Sequence, residues 1–303
     1  MLTRCEIKKL FVVIIQVICS KQSIYAGLLL VCFWGTCHGN NEYLEEVQKL
    51  RKQGEYARAA KHCKNILEQN EIPETQRKIL TLELAACYQF DTRKSQTDAA
   101  IEVYKKFLEN WEADPLAAKA NFNLARCLEF TGKRKKRYLE DARCHYKIVY
   151  EKFPDSLWAD QSYFWEAMSY AVPLNPETAA DTVKRLQKFE ERFPESILRA
   201  VVFSEISELS CTYLEDYDLA IASGIRALEL GLGSPGLCGK IRYRLAYLYQ
   251  YKKADLRNAL KWYKELVAAS PMKSDPNYFV AEERISAIIN KLKHVQKEES
   301  FVK

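Results

Sequence analysis

Glycine and proline are scarce, at 10 and 9 residues in a chain of 303. Alternating apolar–polar strand patterns are missing as well, so a strand-and-turn architecture is excluded and an all-helical one remains. Histidine is rarer still. His38, His62, His145 and His294 are the only four, and no two stand at metal-ligand spacing. The chain has no His-Glu-x-x-His, no Cys-x-x-Cys, no glycine-rich phosphate loop and no Gly-x-Ser-x-Gly elbow. Cys144 and His145 are adjacent, but neighbours on a helix point apart. Acidic residues abound on what read as exposed helix faces, without a pair fit for acid and base roles. These absences leave no catalytic residue, no metal ligand and no cofactor to name. One-sided charge is also lacking. The formal charge is +6, of which Arg4, Lys8, Lys9 and Lys21 against Glu6 supply +3 within residues 1–39. The remaining +3 is weaker than the basic bias of most nucleic-acid readers.

What is present is a repeat. Tyr150-Glu-Lys-Phe-Pro-Asp-Ser156 returns forty residues later as Glu190-Glu-Arg-Phe-Pro-Glu-Ser196, and a fixed period of this size marks a repeat protein. Between the copies, Asp155 or Ser156 is placed to cap a helix. Trp158, Ser162, Trp165, Ala167 and Tyr170 then fall near the spacing of a buried face, and Pro173 stops the helix near Val172. Asn175-Pro176-Glu177 starts a second helix with a cap, a proline in the first turn and an acid near the dipole's positive end. Val183, Leu186, Phe189 and Phe193 line it.

The rest of the chain reads as copies of this unit. Residues 40–72 form a first pair around a Gly54-Glu-Tyr56 turn, with Tyr43, Val47 and Leu50 facing Ala59, Ala60, Cys63, Ile66 and Leu67. Residues 74–115 form a second, with a polar insert at 91–98. The third spans residues 116–154, the fourth residues 155–194, the fifth residues 197–235 and the sixth residues 237–271. The fifth has a small-residue seam at Ala220, Gly224 and Ala227. Residues 276–296 read as a capping helix with Val280, Ile285, Ile288, Ile289 and Leu292 on one face. Residues 297–303 read as a flexible tail. At the other end, Arg4, Lys8 and Lys9 precede an apolar run from Leu10, and a second run follows Lys21. Residues 1–39 read as a signal peptide or, if uncleaved, a membrane anchor. A buried structural helix, or lipidation at Cys32, are further readings of the same stretch. The remainder, residues 40–296, would then be exported.

Leu124, Ala125, Ala142, Tyr146 and Pro154 in one unit resemble the tetratricopeptide repeat (TPR) pattern. So do Leu245, Ala246, Tyr249, Ala259, Tyr263 and Pro271 in another, and Tyr217, Ala220, Ala227 and Leu228 in a third. The period is nearer forty than the family's 34, Thr182 stands at the position of the key alanine of the fourth unit, and Glu208 stands at a small-residue site of the fifth. Residues 153–170 are also similar to the repeat of bacterial envelope proteins of the BamD and CpoB type. The resemblance implies an all-α fold, an α-solenoid of about six TPR-like helix pairs with a C-terminal capping helix. It further implies a non-enzymatic scaffold in the periplasm or cell envelope, acting in outer-membrane or envelope complex assembly. Alternatives are a membrane-anchored intracellular TPR adaptor and a helical subunit of an envelope enzyme.

In such a stack the first helices line an inner surface. The inward positions then include Lys119, Phe122, Arg126 and Glu129 in the third unit. They include Gln161, Phe164 and Met168 in the fourth, and Lys240, Tyr243, Tyr247 and Gln250 in the sixth. Aromatic rings between polar groups suit capture of a peptide or partner helix, so Phe122, Arg126, Gln161, Phe164, Met168, Tyr243 and Tyr247 are the candidate partner-binding residues. Phe122, Phe164 and Tyr243 also fit a role in the core between repeats. The expected partners are other proteins, with membrane association through residues 1–39; nucleic acid conflicts with export. The basic run from Lys133 to Arg137 reads as a solvated loop, or as a patch for an acidic partner or anionic lipid. Cys63, Cys87, Cys127, Cys144, Cys211 and Cys238 follow the repeat period, since Cys87 and Cys127 are forty apart. They read as small packing residues, although export would permit disulfides.

Overall fold

The computed structural model describes residues 42–69, 72–91, 96–132, 136–270 and 272–301. The segment 1–39, Pro271 and residues 133–135 of the basic run lie outside the described residues. Among the described residues all regular structure is helical: α1 (Glu42–Lys52), α2 (Tyr56–Leu67), α3 (Glu74–Phe90), α4 (Thr97–Trp111), α5 (Ala117–Gly132), α6 (Lys136–Lys152), α7 (Ala159–Ser169), α8 (Pro176–Gln187), α9 (Phe189–Arg192), α10 (Arg199–Leu209), α11 (Tyr217–Leu230), α12 (Pro235–Tyr251), α13 (Leu256–Ala268) and α14 (Tyr278–Phe301). The chain divides between Pro173 and Leu174 into two compact units. In the N-terminal unit α1 packs on α2, α3 on α4 and α5 on α6, with α7 against α6. In the C-terminal unit α8 packs on α10, α10 on α11, α12 on α13, and α14 covers α13.

The same seam builds each pair. Every second helix carries an alanine, a variable residue four positions on and a further residue at the seventh. These are Ala59/Cys63/Ile66, Ala100/Tyr104/Phe107, Ala142/Tyr146/Val149, Ala179/Val183/Leu186, Ala220/Gly224/Ala227 and Ala259/Tyr263/Leu266, all buried. Spacing of four and three keeps them on one helix face, and alanine lets the neighbouring backbone come close. Gly224 takes this furthest, since a Cβ there would lie 3.1 Å from both Leu245 of α12 and Ser207 of α10. The register corrects one reading from the sequence. Ala179, fully buried, fills the alanine site of its unit, while Thr182 donates its hydroxyl to the Thr178 carbonyl at 2.8 Å.

The two Phe-Pro corners are alike in backbone. In the N-terminal unit the Phe153 N–H donates to the Val149 carbonyl and the Ser156 N–H to the Phe153 carbonyl, both at 3.0 Å. In the C-terminal unit the Phe193 N–H donates to Phe189 at 2.8 Å and the Ser196 N–H to Phe193 at 3.0 Å. The corner therefore ends α6 and α9 in the same way, and at the second one the Ser196 hydroxyl accepts the Leu198 N–H at 3.1 Å just ahead of α10. α7 starts behind Trp158 with no side-chain cap bond, and not from Asp155 or Ser156. It ends at Ser169, earlier than Val172. α8 does carry its expected start: Asn175 and Thr178 form a reciprocal capping box around Pro176. The unit boundary also separates α7 from α8, which the forty-residue period assigns to one pair. Two further positions depart from the periodic reading. Val280 is exposed, because α14 buries Tyr278, Ala281 and Ile288 instead. α14 also runs to Phe301, into the stretch read as a tail.

A buried charge cluster ties the first helices of the N-terminal unit together. Arg51 of α1 donates to Glu83 of α3, and Lys119 of α5 stands 3.6 Å from the same carboxylate. Arg51 and Glu83 are 6% and 7% exposed. Burial opposes the charge on Glu83, but Arg51 and Lys119 outweigh it and hold the carboxyl below its usual range. Removing one member of a buried pair strands the others. Glu83→Ala should therefore cost about 3–5 kcal/mol of stability, read as a lower denaturant midpoint at unchanged slope. A loss below about 1 kcal/mol would show the cluster to be solvated.

His145 gives a second outcome. Its Nδ1 lies 2.8 Å from Asn121 Oδ1. Burial pulls the imidazole pKa below its ordinary 6.5, with Asp141 opposing and Lys105 adding to the depression. The folded state thus keeps the ring neutral while the unfolded chain takes a proton. This contribution is present above about pH 6.5 and is lost as the pH falls through the depressed folded value. The thermal midpoint should drop between about pH 7.5 and about pH 5 in the parent, and drop less in His145→Gln.

Candidate functional site

The seven sequence-chosen positions divide by burial. Phe122 is 7% exposed, its ring 4.9 Å from Trp158 and 6.0 Å from Tyr146. Phe164 is 1% exposed, edge-on to Trp165 at 5.2 Å. Both are core residues of the N-terminal unit and offer a partner no surface. The reason is local: small residues at the seam draw the helices close enough to swallow rings that would otherwise face out.

Arg126, Gln161 and Met168 remain half-buried on that unit. Arg126 lies flat on Trp165, its guanidinium carbon 3.7 Å from the ring centroid, and pairs with Glu129 at 2.6 Å. Glu129 also accepts the Tyr146 hydroxyl at 2.8 Å. Burial works against the charge on Arg126, but Glu129 and then Tyr146 override it and hold the guanidinium firmly protonated. Gln161 turns back on its own helix, its amide donating to the Leu157 carbonyl at 3.0 Å. Beside them Arg143 crosses from α6 to the Ser169 carbonyl at 2.9 Å and stacks on Tyr170 at 3.8 Å. This face is a set of satisfied polar contacts over aromatic rings. The sequence gives no sign of Arg143 or Trp165 as members of it, because each partner comes from a different helix.

The C-terminal unit presents a different surface. α12 carries Lys240, Arg242, Tyr243, Arg244, Tyr247, Tyr249 and Tyr251 and has no acidic side chain from Pro235 to Tyr251. Tyr247 and Tyr251 are 40% and 47% exposed and pack ring to ring at 4.9 Å. Arg284 of α14 stands 5.9 Å from the Tyr251 ring. Tyr243 is half-buried, edge-on to Tyr263 at 6.1 Å. Tyr263 in turn donates its hydroxyl to Gln250 at 3.0 Å. On the opposite flank Arg244 bonds Ser207 and Glu208 of α10. Burial brings the Arg244 pKa down to about 10, with Glu205 opposing, and burial raises Glu205 against the pull of Arg244 and Lys240. Tyr251 was absent from the sequence candidates. It lies one turn beyond Tyr247, and that i, i+4 spacing is the signal that could have found it.

A cavity of about 240 Å³ opens near the start of α12, with Cys238 and Arg242 on its wall. That is below the usual size of a small-molecule site. Among the described residues no group of three His, Cys, Asp or Glu side chains could hold a metal ion. Nor is any helix there long and apolar enough to cross a membrane.

No family model matches the chain, and no curated protein matches it in sequence. Among solved structures, human IFIT1, solved as a dimer with PPP-AAAA, superimposes with a TM-score of 0.57 at 16% identity. The match covers 82% of this chain and 54% of the IFIT1 chain, so this chain spans about half the length of that relative. A tetratricopeptide repeat protein from Parabacteroides merdae gives 0.38 at 13% identity, over 82% of this chain and 98% of that one. The TPR2AB domain of yeast Sti1, in a complex with pHSP90, gives 0.32 at 15%, over 82% and 97%. The likeness to IFIT1 shows the fold: an all-α array of TPR-like helix pairs.

The phenol of Tyr146 is a test of how the Arg126 face is held. Tyr146→Phe removes one hydrogen bond to Glu129 and leaves the Arg126 pair in place. It should cost about 1 kcal/mol, whereas Tyr146→Ala should cost about 3–5 kcal/mol through the cavity it opens. Equal losses in the two variants would show the hydroxyl, and not the ring, to dominate.

Proposed function

We propose that the chain is a non-catalytic scaffold that docks segments of other proteins on α12 of its C-terminal unit. One observation carries this: an acid-free first helix keeps two tyrosines in ring contact at 40% and 47% exposure, with Arg284 beside Tyr251. Exposed tyrosines offer apolar area and a hydrogen-bonding tip at low entropic cost. Cations on a helix that carries no acid of its own favour a segment that mixes apolar and acidic side chains. Residues 1–39 combine basic residues with two apolar runs, which supports export to the cell envelope, as signal peptide or retained anchor. The resemblance of residues 153–170 to the repeats of bacterial envelope proteins favours a part in outer-membrane or envelope complex assembly.

A photo-crosslinkable residue at position 247, compared with one at the exposed Phe130, tests the docking face in the native host. The reading expects a discrete adduct from 247 alone, and Tyr247→Ala or Tyr251→Ala should each weaken binding of the recovered partner about tenfold with helicity unchanged. Equal adducts from both positions, or binding of PPP-AAAA that the same substitutions abolish, would overturn it. Fractionation with N-terminal sequencing settles export separately, since a chain found intact in the cytoplasm rules export out.

A further inference from the structure

The sequence reads its later cysteines as packing residues, and the structure divides them. Cys63, Cys87 and Cys127 are buried, Cys144 is exposed, and Cys211 and Cys238 lie between. Cys238 turns its thiol to the Leu232 carbonyl at 3.6 Å. Cys127 is wrapped in the apolar core, and burial pushes its thiol up to about 12. Cys63 and Cys87 are different. Each is completely buried, they stand on α2 and α3, and those helices pack on one another. Both belong to one buried core cluster, and the Cys87 thiol lies near enough to Cys63 to raise its pKa. Ala59 and Ala60 flank Cys63 and Ala85 and Ala86 flank Cys87, all within 5% exposure. Small neighbours on both helices permit the backbone approach that a disulfide requires, with Cα atoms about 4.4–6.8 Å apart.

We propose that Cys63 and Cys87 are the two halves of a disulfide that joins the first helix pair to the second. The oxidant is a disulfide donor, either a small disulfide such as oxidised glutathione or a protein oxidase of the compartment. One cysteine, as thiolate, attacks a sulfur of the donor; the donor S–S bond breaks and one donor thiol leaves. The second thiolate then attacks the protein sulfur of the mixed disulfide. The Cys63–Cys87 bond forms as the second donor thiol leaves. The protein gives up two protons and two electrons, and the donor disulfide is reduced to two thiols.

Timing follows from burial. In the closed core both sulfurs are out of reach of a donor, and the neighbouring Cys87 thiol, followed by burial, disfavours ionisation of Cys63. Exchange is therefore fastest during folding, or when the α1–α2 end of the unit opens. Once formed, the bond closes a loop that contains the 68–73 connection and most of α3. It stabilises chiefly by limiting the freedom of the unfolded chain. The proposal is independent of the docking face on α12.

The experiment uses the full chain, refolded in a glutathione redox buffer, acid-quenched, unfolded, alkylated and mapped by mass spectrometry. Cys63 and Cys87 should escape alkylation and appear in one linked peptide lighter by two hydrogens, with Cys144 alkylated. Reduction should lower the thermal midpoint of the oxidised protein by about 5–10 °C. That shift should vanish in Cys63→Ala and in Cys87→Ala and persist in Cys144→Ala. Alkylation of both buried thiols, linkage to other cysteines at comparable yield, or a midpoint indifferent to reduction overturns the proposal. The mapping is done on the unsubstituted chain, so it decides the matter even if a variant does not fold.

Discussion

The packing of each second helix through an alanine and the residue four positions beyond it is the constraint on which the rest depends. Where that residue is tyrosine, the pair gains a large buried ring but must also satisfy a phenol. Three pairs meet the demand in one way. The hydroxyls of Tyr104, Tyr146 and Tyr263 donate to Gln89, Glu129 and Gln250, each near the end of the preceding first helix. An unmet buried hydroxyl would cost about 1–3 kcal/mol. The hydrogen bond thus fixes the register of one helix against the other as well as their contact. Burial drives Tyr104 and Tyr146 far from ionisation, so these bonds keep their sense at any physiological pH. A rigid interior of this kind leaves the polar ends of first helices as the places where surface character can vary.

The two units use that freedom differently. On the N-terminal unit the charges of first helices, and that of Arg143 on α6, are matched. Glu83 is held by Arg51 and Lys119, Arg126 by Glu129 and Trp165, and Arg143 by Ser169 and Tyr170. Such a face is stiff and offers little for a partner to gain. On the C-terminal unit α12 has cations without acids on the same helix, and its rings stay in solvent. Binding energy in protein interfaces concentrates in aromatic and arginine anchors. The contrast between rings buried under matched charges and rings exposed on an acid-free helix is therefore a stronger pointer to docking than the presence of aromatics alone. Phe122 and Phe164 show why: aromatic in sequence, they are interior in fact.

The helix pairs were legible because their signals are local. Ala142, Tyr146 and Val149 declare a buried face within two turns, and Asn175-Pro176 declares a start within three residues. The misreadings arise where the deciding contact is remote or subtle. Thr182 fits the alanine site by counting, yet Ala179 takes it, because the seam follows geometry and not a fixed period. Glu83 looks like one more solvated acid, since its partners lie far away in the chain, at Arg51 and Lys119. Ser210–Leu214 winds as a π-turn and ends on Glu215 in the left-handed region. Nothing in Ser-Cys-Thr-Tyr-Leu announces that.

Two pairs place a small residue where others carry tyrosine, and each closes by a different route. In the C-terminal unit Gly224 lets α11 approach until its backbone meets Leu245 and Ser207, so close contact replaces a ring. In the N-terminal unit Cys63 holds the tyrosine place of α2. A thiol buries far less area than a phenol ring, and it supplies no strong hydrogen bond to set the register. α1 and α2 also have no pair before them among the described residues to cover their outer side. The pair that carries a thiol in the tyrosine place thus has the Cys87 thiol of the next helix near it. A covalent link at that point would supply the register that Tyr104 and Gln89 supply one pair later. On this view the cysteines that follow the repeat are not all alike: Cys127 fills space within the core, and Cys63 with Cys87 stands in for the missing tyrosine.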